Sequence, residues 1–190
     1  NPQRDHMLIY HVKRYSELAN LSDRVVRLTG LEINRDNNGP HRANVCLELN
    51  IKPMFARDAR DVEARFNVPK NSRMSLPTWS PNGKRFAMMR LARKEVSLYL
   101  GSTEGRRRLV RVRDVVLNGA LGSPIQWLPD GNTLLCRLIS RGENDRPVVR
   151  LPVGPNVVET SGAEKILRPY RDLLETEEDA DLFDYYTTSQ

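Results

Sequence analysis

Apolar and polar residues alternate over short stretches of this chain, and helical spacing emerges only in its last twenty residues. Val45-Cys46-Leu47-Glu48-Leu49-Asn50-Ile51 shows the period-two pattern of a half-buried strand. Extended apolar runs predict a first strand at His6–Val12 and another at Val25–Leu28, continued by Leu31–Asn34. Arg85–Leu91 and Val96–Leu100, joined by residues 92–95, predict a strand pair, followed by strands at Leu109–Val116, Thr133–Ile139 and Val148–Leu151. Tyr15–Ala19 reads as a brief helical turn, residues 35–42 as a loop dense in turn formers, and residues 53–74 as a loop with one short strand. From residue 170 onward β-branched residues thin out, and Leu173, Leu174, Leu182, Phe183 and Tyr186 take the spacing of one or two short amphipathic helices. Acidic residues near the starts of those helices complement the helix dipole.

One phrase occurs twice, 48 residues apart: Trp79-Ser80-Pro81-Asn82-Gly83 before Phe86-Ala87, and Trp127-Leu128-Pro129-Asp130-Gly131 before Leu134-Leu135. Proline presets φ, and Asn-Gly or Asp-Gly supplies the positive φ of a tight turn that feeds directly into a strand. A weaker copy opens the chain at Pro2–Ile9, with Arg4-Asp5 in the place of the turn dipeptide. Repeats of roughly 40–50 residues with turn-then-strand chemistry predict β-propeller blades. The expected fold is therefore all-β, a partial β-propeller of about three to four four-stranded antiparallel blades with a short helical C-terminal segment. Residues 1–151 would form the blades, 152–169 a linker-like segment, and 170–190 the helical segment. Trp79 and Trp127 are expected at equivalent, largely buried positions, where truncation to alanine costs about 3–5 kcal/mol.

Length limits this picture: 190 residues are too few for seven or eight such units, and the chain begins as though cut from something longer. No run approaches about 18 consecutive apolar residues, so no membrane-spanning helix and no membrane partner are expected. The net charge of +6 hides an asymmetry, because residues 170–190 carry one arginine against seven acids and the remainder carries +12. Outside Arg106-Arg107-Arg108 the basic residues are scattered, and aromatics make up only 6%. A solvated basic surface fits this pattern better than a nucleic-acid site. Cys46 and Cys136 lie inside apolar runs, as buried free thiols do.

Catalytic chemistry has few candidates. There is no Gly-x-Ser-x-Gly elbow, phosphate-binding glycine loop, zinc spacing or calcium loop. His6 and His11 are five apart in a strand and so face opposite sides, which makes them poor metal ligands; His41 stands alone. The paired acids Glu177 and Glu178 read as solvated. No catalytic residue, metal site or cofactor is expected in this chain.

Three stretches carry a resemblance. Leu28-Thr29-Gly30-Leu31-Glu32-Ile33-Asn34 with Asn38-Gly39-Pro40-His41-Arg42 is the first, and Leu117 to Asp130 is the second. The third joins Arg168–Leu174 to Asp181-Leu182-Phe183-Asp184-Tyr185-Tyr186-Thr187-Thr188-Ser189-Gln190. Together they resemble the N-terminal propeller of bacterial and plastid glutamyl endopeptidases, within the prolyl oligopeptidase family of serine peptidases. The likeness covers nearly the whole chain and is weakest over residues 53–75. It implies an α/β-hydrolase domain with a Ser-Asp-His triad following the propeller, and nothing in this chain matches that triad. The chain then reads as a non-catalytic propeller fragment that gates the active site of a peptidase cleaving after glutamate. It is expected not to hydrolyse peptides by itself. Its implied partners are peptide substrates, reached through the parent enzyme, and the C-terminal hydrolase domain of the same protein. The resemblance also suggests that the loop Arg35–Arg42 faces the active site and that Arg42 binds the substrate glutamate. The bland alternative for Arg42 is a surface ion pair with a nearby acid. A competing reading for the chain is a stand-alone propeller-like protein-binding module with no enzymatic activity.

Overall fold

The computed structural model of the chain describes residues 2–3, 5–13, 23–55, 64–69, 72–105, 108–139, 147, 173–174 and 176–190. The described residues form twelve strands followed by one helix, the mostly-β fold expected from the sequence. The helical turn expected at 15–19, the strand at 148–151 and the linker at 152–169 lie outside the described residues.

The largest sheet has eight strands. Its first members are β1 (His6–Lys13), antiparallel to β4 (Val45–Pro53), and β5 (Ala64–Phe66), which pairs with β4 over Leu49–Ile51. Next come β6 (Arg73–Met74) and β7 (Thr78–Trp79), two pieces that both pair with β8 (Arg85–Leu91). Ser75, Leu76 and Pro77 interrupt them, and Pro77 has no N–H for a ladder. Ser75 bridges the break, since its N–H donates to the Met89 carbonyl and its Oγ accepts from the Met89 N–H. β9 (Val96–Ser102) pairs with β8, and β10 (Val110–Val116) closes the row beyond β9. Residues 73–116 thus form a four-stranded antiparallel meander, joined to β4 through the single pair Cys46–Met74. Two two-stranded ribbons stand apart from this sheet: β2 (Val25–Leu28) with β3 (Leu31–Asn34), and β11 (Ile125–Trp127) with β12 (Leu134–Cys136).

Burial explains the continuous apolar run of β8. Phe86 and Met88 point into one core with Leu49, Ile51, Phe66 and Met74, whereas Ala87, Met89 and Leu91 point into a second with Val96, Leu98 and Ile125. A strand covered on both faces needs apolar residues at successive positions. A third core joins the β2–β3 ribbon to helix α1 (Glu177–Thr187) through Val26, Leu28, Ile33, Ala120, Leu182 and Tyr186. Thr176 caps α1: its hydroxyl accepts from the Asp179 N–H, and the Asp179 carboxylate accepts from the Thr176 N–H. The helix therefore begins later than the apolar spacing predicts. Leu173 and Leu174 lie before the cap and are exposed.

The repeated phrase folds the same way twice. Gly83 N–H donates to Ser80 O and Ser80 N–H to Arg85 O; in the second copy Gly131 donates to Leu128 O and Leu128 to Thr133 O. Gly83 and Gly131 take φ of 70° and 69°, the left-handed region that glycine enters at little cost. Trp79 pairs across its hairpin with Phe86, and Trp127 pairs with Leu134. The two turns also touch. The Asn82 amide donates to the Gly131 carbonyl at 3.0 Å, and the Trp127 indole N–H donates to the Thr78 carbonyl at 3.1 Å.

Both tryptophans take equivalent places in their hairpins and are partly buried, each packed against a core without being sealed from water. An indole carries a polar N–H, and at Trp127 that end reaches backbone at the rim while the ring covers the second core. Trp79 stands edge-on to Phe86, with ring centroids 5.8 Å apart, against the first core. Alanine at either position is accordingly expected to cost about 2 kcal/mol, less than the full penalty for a buried aromatic. Urea titrations of the two variants measure this; a loss near 5 kcal/mol at either site would mean the ring is sealed from water.

Cys46 is fully buried in the first core, and Cys136 packs at the edge of the second, so the two thiols are free and separately placed. Burial pushes the Cys46 thiol up to about 11. Below pH 9.0 the folded and unfolded thiols are both protonated and folding loses nothing. Between pH 9.0 and about 11 only the unfolded chain ionises, so this group drains stability as pH rises through that window. At pH 8 a thiol reagent is expected to modify half-exposed Cys136 first and Cys46 only on unfolding, which peptide mapping after timed labelling reads directly.

Candidate functional site

Arg42, the residue singled out for recognition, stands beside the β2–β3 ribbon. Thr29 and Gly30 connect these strands, with φ of 48° and 81°, in the two-residue turn that requires positive φ at both positions. That turn sets the register, placing Arg27 directly opposite Glu32. Val26, Leu28 and Ile33 enter the third core, so the alternation sends Arg27 and Glu32 to the other face.

The predicted loop at 35–42 is a tight reversal that returns along β3. Asn34 N–H donates to Gly39 O, His41 N–H donates to Glu32 O, and Pro40 bridges to Ile33. Its asparagines are buried. Asn37 donates to the Ala92 carbonyl and accepts from the Gly39 N–H, and a Cβ on Gly39 would meet Leu91 at 2.9 Å. The loop is clamped against the β8–β9 turn, and Arg42 leaves it on the exposed side.

Glu32 therefore sits between two arginines. Arg42 Nε lies 2.8 Å from Glu32 Oε2, and Arg27 Nε lies 3.6 Å from Oε1. The arginine side chains are 73% and 61% exposed, while that of Glu32 is 25% exposed. The ion pair foreseen as the bland alternative for Arg42 is present. The three side chains border an open depression of about 670 Å³, whose remaining walls are Gly30, Leu31, Pro40, Ala120 and Gly122. No hydrogen bond engages the Nη nitrogens of Arg27 or Arg42 among the described residues.

Ala120, which lines the depression, is tied to a buried amide junction. The Asn118 amide nitrogen donates to the carbonyls of Tyr186 and Thr188, both at 2.9 Å, and its Oδ1 accepts from the Ala120 N–H. Asn38 donates to the Tyr186 carbonyl, and its own carbonyl accepts from the Gly119 N–H. Leu138 and Gln190 exchange both backbone hydrogen bonds, which ties the last residue to the segment beyond β12. The three stretches that carry the family resemblance, far apart in sequence, meet at this junction. The joining role of Asn38 and Asn118 was not legible in the sequence, because asparagines beside glycines look like turn residues.

The histidines are dispersed. His6 lies 3.1 Å from Asp5, exposed His11 lies 3.6 Å from Glu48, and His41 lies 3.6 Å from an Asp23 that also pairs with Arg73. No cluster of three His, Cys, Asp or Glu side chains suited to a metal ion occurs among the described residues. Glu177 and Glu178 are exposed on the first turn of α1. Arg106 and Arg107 lie outside the described residues. The arrangement as a whole offers two guanidinium groups beside an open depression, which is binding chemistry for an anion.

No protein-family model matches the chain. Along its whole length it is similar to two plant proteins, each named "Probable glutamyl endopeptidase, chloroplastic". The rice protein (Oryza sativa subsp. japonica) is 28% identical over 203 aligned positions, and the Arabidopsis thaliana protein is 30% identical over 202. Both alignments cover 100% of this chain and 21% of the relative, so the chain spans about a fifth of the length of these curated relatives.

Proposed function

We propose that this chain is part of the propeller of a serine peptidase that cleaves peptides after glutamate, and that it gates and shapes an active site it does not itself contain. The observation that carries this reading is the similarity, along the entire chain, to two proteins each named "Probable glutamyl endopeptidase, chloroplastic". Two features of the fold support it. Residues 73–116 form a four-stranded antiparallel meander, the form of one blade, and the hairpin that opens it recurs at Trp127 and docks against it. β8 is covered on both faces, as blades stacked around an axis are. In this reading the α/β-hydrolase domain with its Ser-Asp-His triad is the partner of this chain within the same protein. The propeller admits extended peptides and keeps folded proteins and bulk water from the reacting centre.

Arg42 then contributes to recognition of the substrate glutamate. A guanidinium fork matches a carboxylate through two parallel hydrogen bonds, and a glutamine side chain lacks the charge to engage it equally. In the intact enzyme, Arg42→Ala is expected to lower the preference for Glu over Gln at the cleavage site by about tenfold. Comparison of kcat/KM on a matched pair of peptides tests this. A variant that keeps the parental Glu-over-Gln ratio removes Arg42 from the recognition step.

A further inference from the structure

We propose that Arg27 is a second cationic arm of the same site, and that Glu32 is a resident competitor which an incoming side-chain carboxylate must share the two arginines with. The inference rests on the recognition role given above to Arg42 and extends it to two residues outside that reading.

Register is the first argument. β3 runs between β2 and the returning segment 40–42, so Glu32 has Arg27 on one neighbouring strand and Arg42 on the other. The Glu32 carboxylate spans them, one oxygen toward each Nε. The Nη donors that ordinarily complete a bidentate pair with a carboxylate remain unengaged by protein hydrogen bonds among the described residues.

Charge is the second argument. Two guanidinium groups and one carboxylate leave the trio at +1, and one further carboxylate balances it. A neutral amide balances nothing. Ion pairs made by arginines this exposed are weak, so Glu32 yields its hold without a large penalty.

Shape is the third. The two arginines line the depression together with the apolar surface of Leu31, Pro40 and Ala120 and with Gly30 and Gly122. A side chain with a methylene stem and an anionic tip has a surface for each part. The ligand class is therefore an acidic residue within an extended peptide, with glutamate as the test case.

The test uses the isotope-labelled 190-residue chain with N-acetyl-Glu-Ala-amide and its Gln twin, following the side-chain Nε–Hε signals of Arg27 and Arg42 by NMR. The Glu peptide is expected to shift both signals together and to bind about tenfold tighter than the Gln twin at low salt. Arg27→Gln should weaken the Glu peptide about fivefold and leave the Gln twin unchanged, and Glu32→Gln should tighten it about threefold by lifting the local charge. Circular dichroism confirms that each variant is folded. If the Arg27 signal stays still and Arg27→Gln binds like the parent, the second arm is refuted while a role for Arg42 stands. Weaker binding by folded Glu32→Gln refutes the competition. If the two peptides bind alike, or neither binds, the paired-arginine carboxylate site is refuted, whereas the role of Arg42 stands or falls separately on the Glu-over-Gln comparison in the intact enzyme.

Discussion

Asn118→Leu is expected to release helix α1 and the C-terminal residues 188–190 while the β8–β9 pair stays folded. The substitution keeps the number of side-chain heavy atoms but removes the amide that serves Tyr186 O, Thr188 O and the Ala120 N–H. Asn38 still reaches the Tyr186 carbonyl, so about two groups lose their partner. Each orphaned buried group costs about 1–3 kcal/mol, which puts the total at about 2–6 kcal/mol. The third core adds to the loss, because Leu182 and Tyr186 are held against Val26 and Ile33 only while the helix is docked. Hydrogen exchange reads the outcome regionally. Amides of residues 181–187 should lose protection by two orders of magnitude or more, about 3 kcal/mol, whereas those of 87–98 should change little. Equal loss in both regions would show that the molecule unfolds as one unit. Unchanged protection at α1 would show that the amide junction is dispensable.

Gly101→Ala is expected to be the most damaging change of a single methyl group in the described residues. Gly101 faces Phe86 across the β8–β9 ladder, and a Cβ there would lie 2.1 Å from Phe86 Cζ. Phe86 cannot swing clear, because Phe66 stands edge-on at 5.0 Å and Trp79 closes the other side. The ring packs over the glycine that faces it, an arrangement that compensates for glycine in a strand. Overpacking of this severity costs about 3 kcal/mol or more. Chemical denaturation of Gly101→Ala, Phe86→Leu and the pair tests the cause. Phe86→Leu alone leaves a cavity, yet the double variant should be more stable than the sum of the single losses, with a coupling of about 1–2 kcal/mol. Strict additivity would assign the damage to something other than this contact.

Much of the strand framework was legible from side-chain alternation alone. β4 showed its period of two, and β8 and β9 showed the runs of strands covered on both faces. The Trp-x-Pro-Asn/Asp-Gly phrase announced two hairpins that proved alike down to their hydrogen bonds. Short pieces were harder. β6 and β7 are two residues each and exist because β8 offers them a ladder, a cause that lies outside their own sequence. The start of α1 was obscured by Leu173 and Leu174, whose spacing suits a helix that the Thr176 cap excludes.

The candidate site divides the same way. Arg42 was visible through its setting in a resembling stretch. Arg27 and Glu32 were not, since Val25–Leu28 and Leu31–Asn34 read as one continuing strand. Their adjacency depends on a reversal at Thr29-Gly30, and threonine seldom adopts positive φ. The usable signal was a glycine-containing dipeptide set between two four-residue runs, the format of a two-residue hairpin.

The contact between the two repeated turns has a consequence for anyone who rebuilds this molecule. Asn82 occupies the space a side chain on Gly131 would need, with the amide carbon 2.6 Å from the position of a Cβ there. The turns behave as the two halves of a clasp, cut to fit each other. Grafting a foreign turn onto one hairpin leaves the other half without its mate, whereas the two exchanged together travel as a single cassette. Swaps between related chains would therefore succeed in pairs and fail singly, even though 48 residues separate the halves along the backbone.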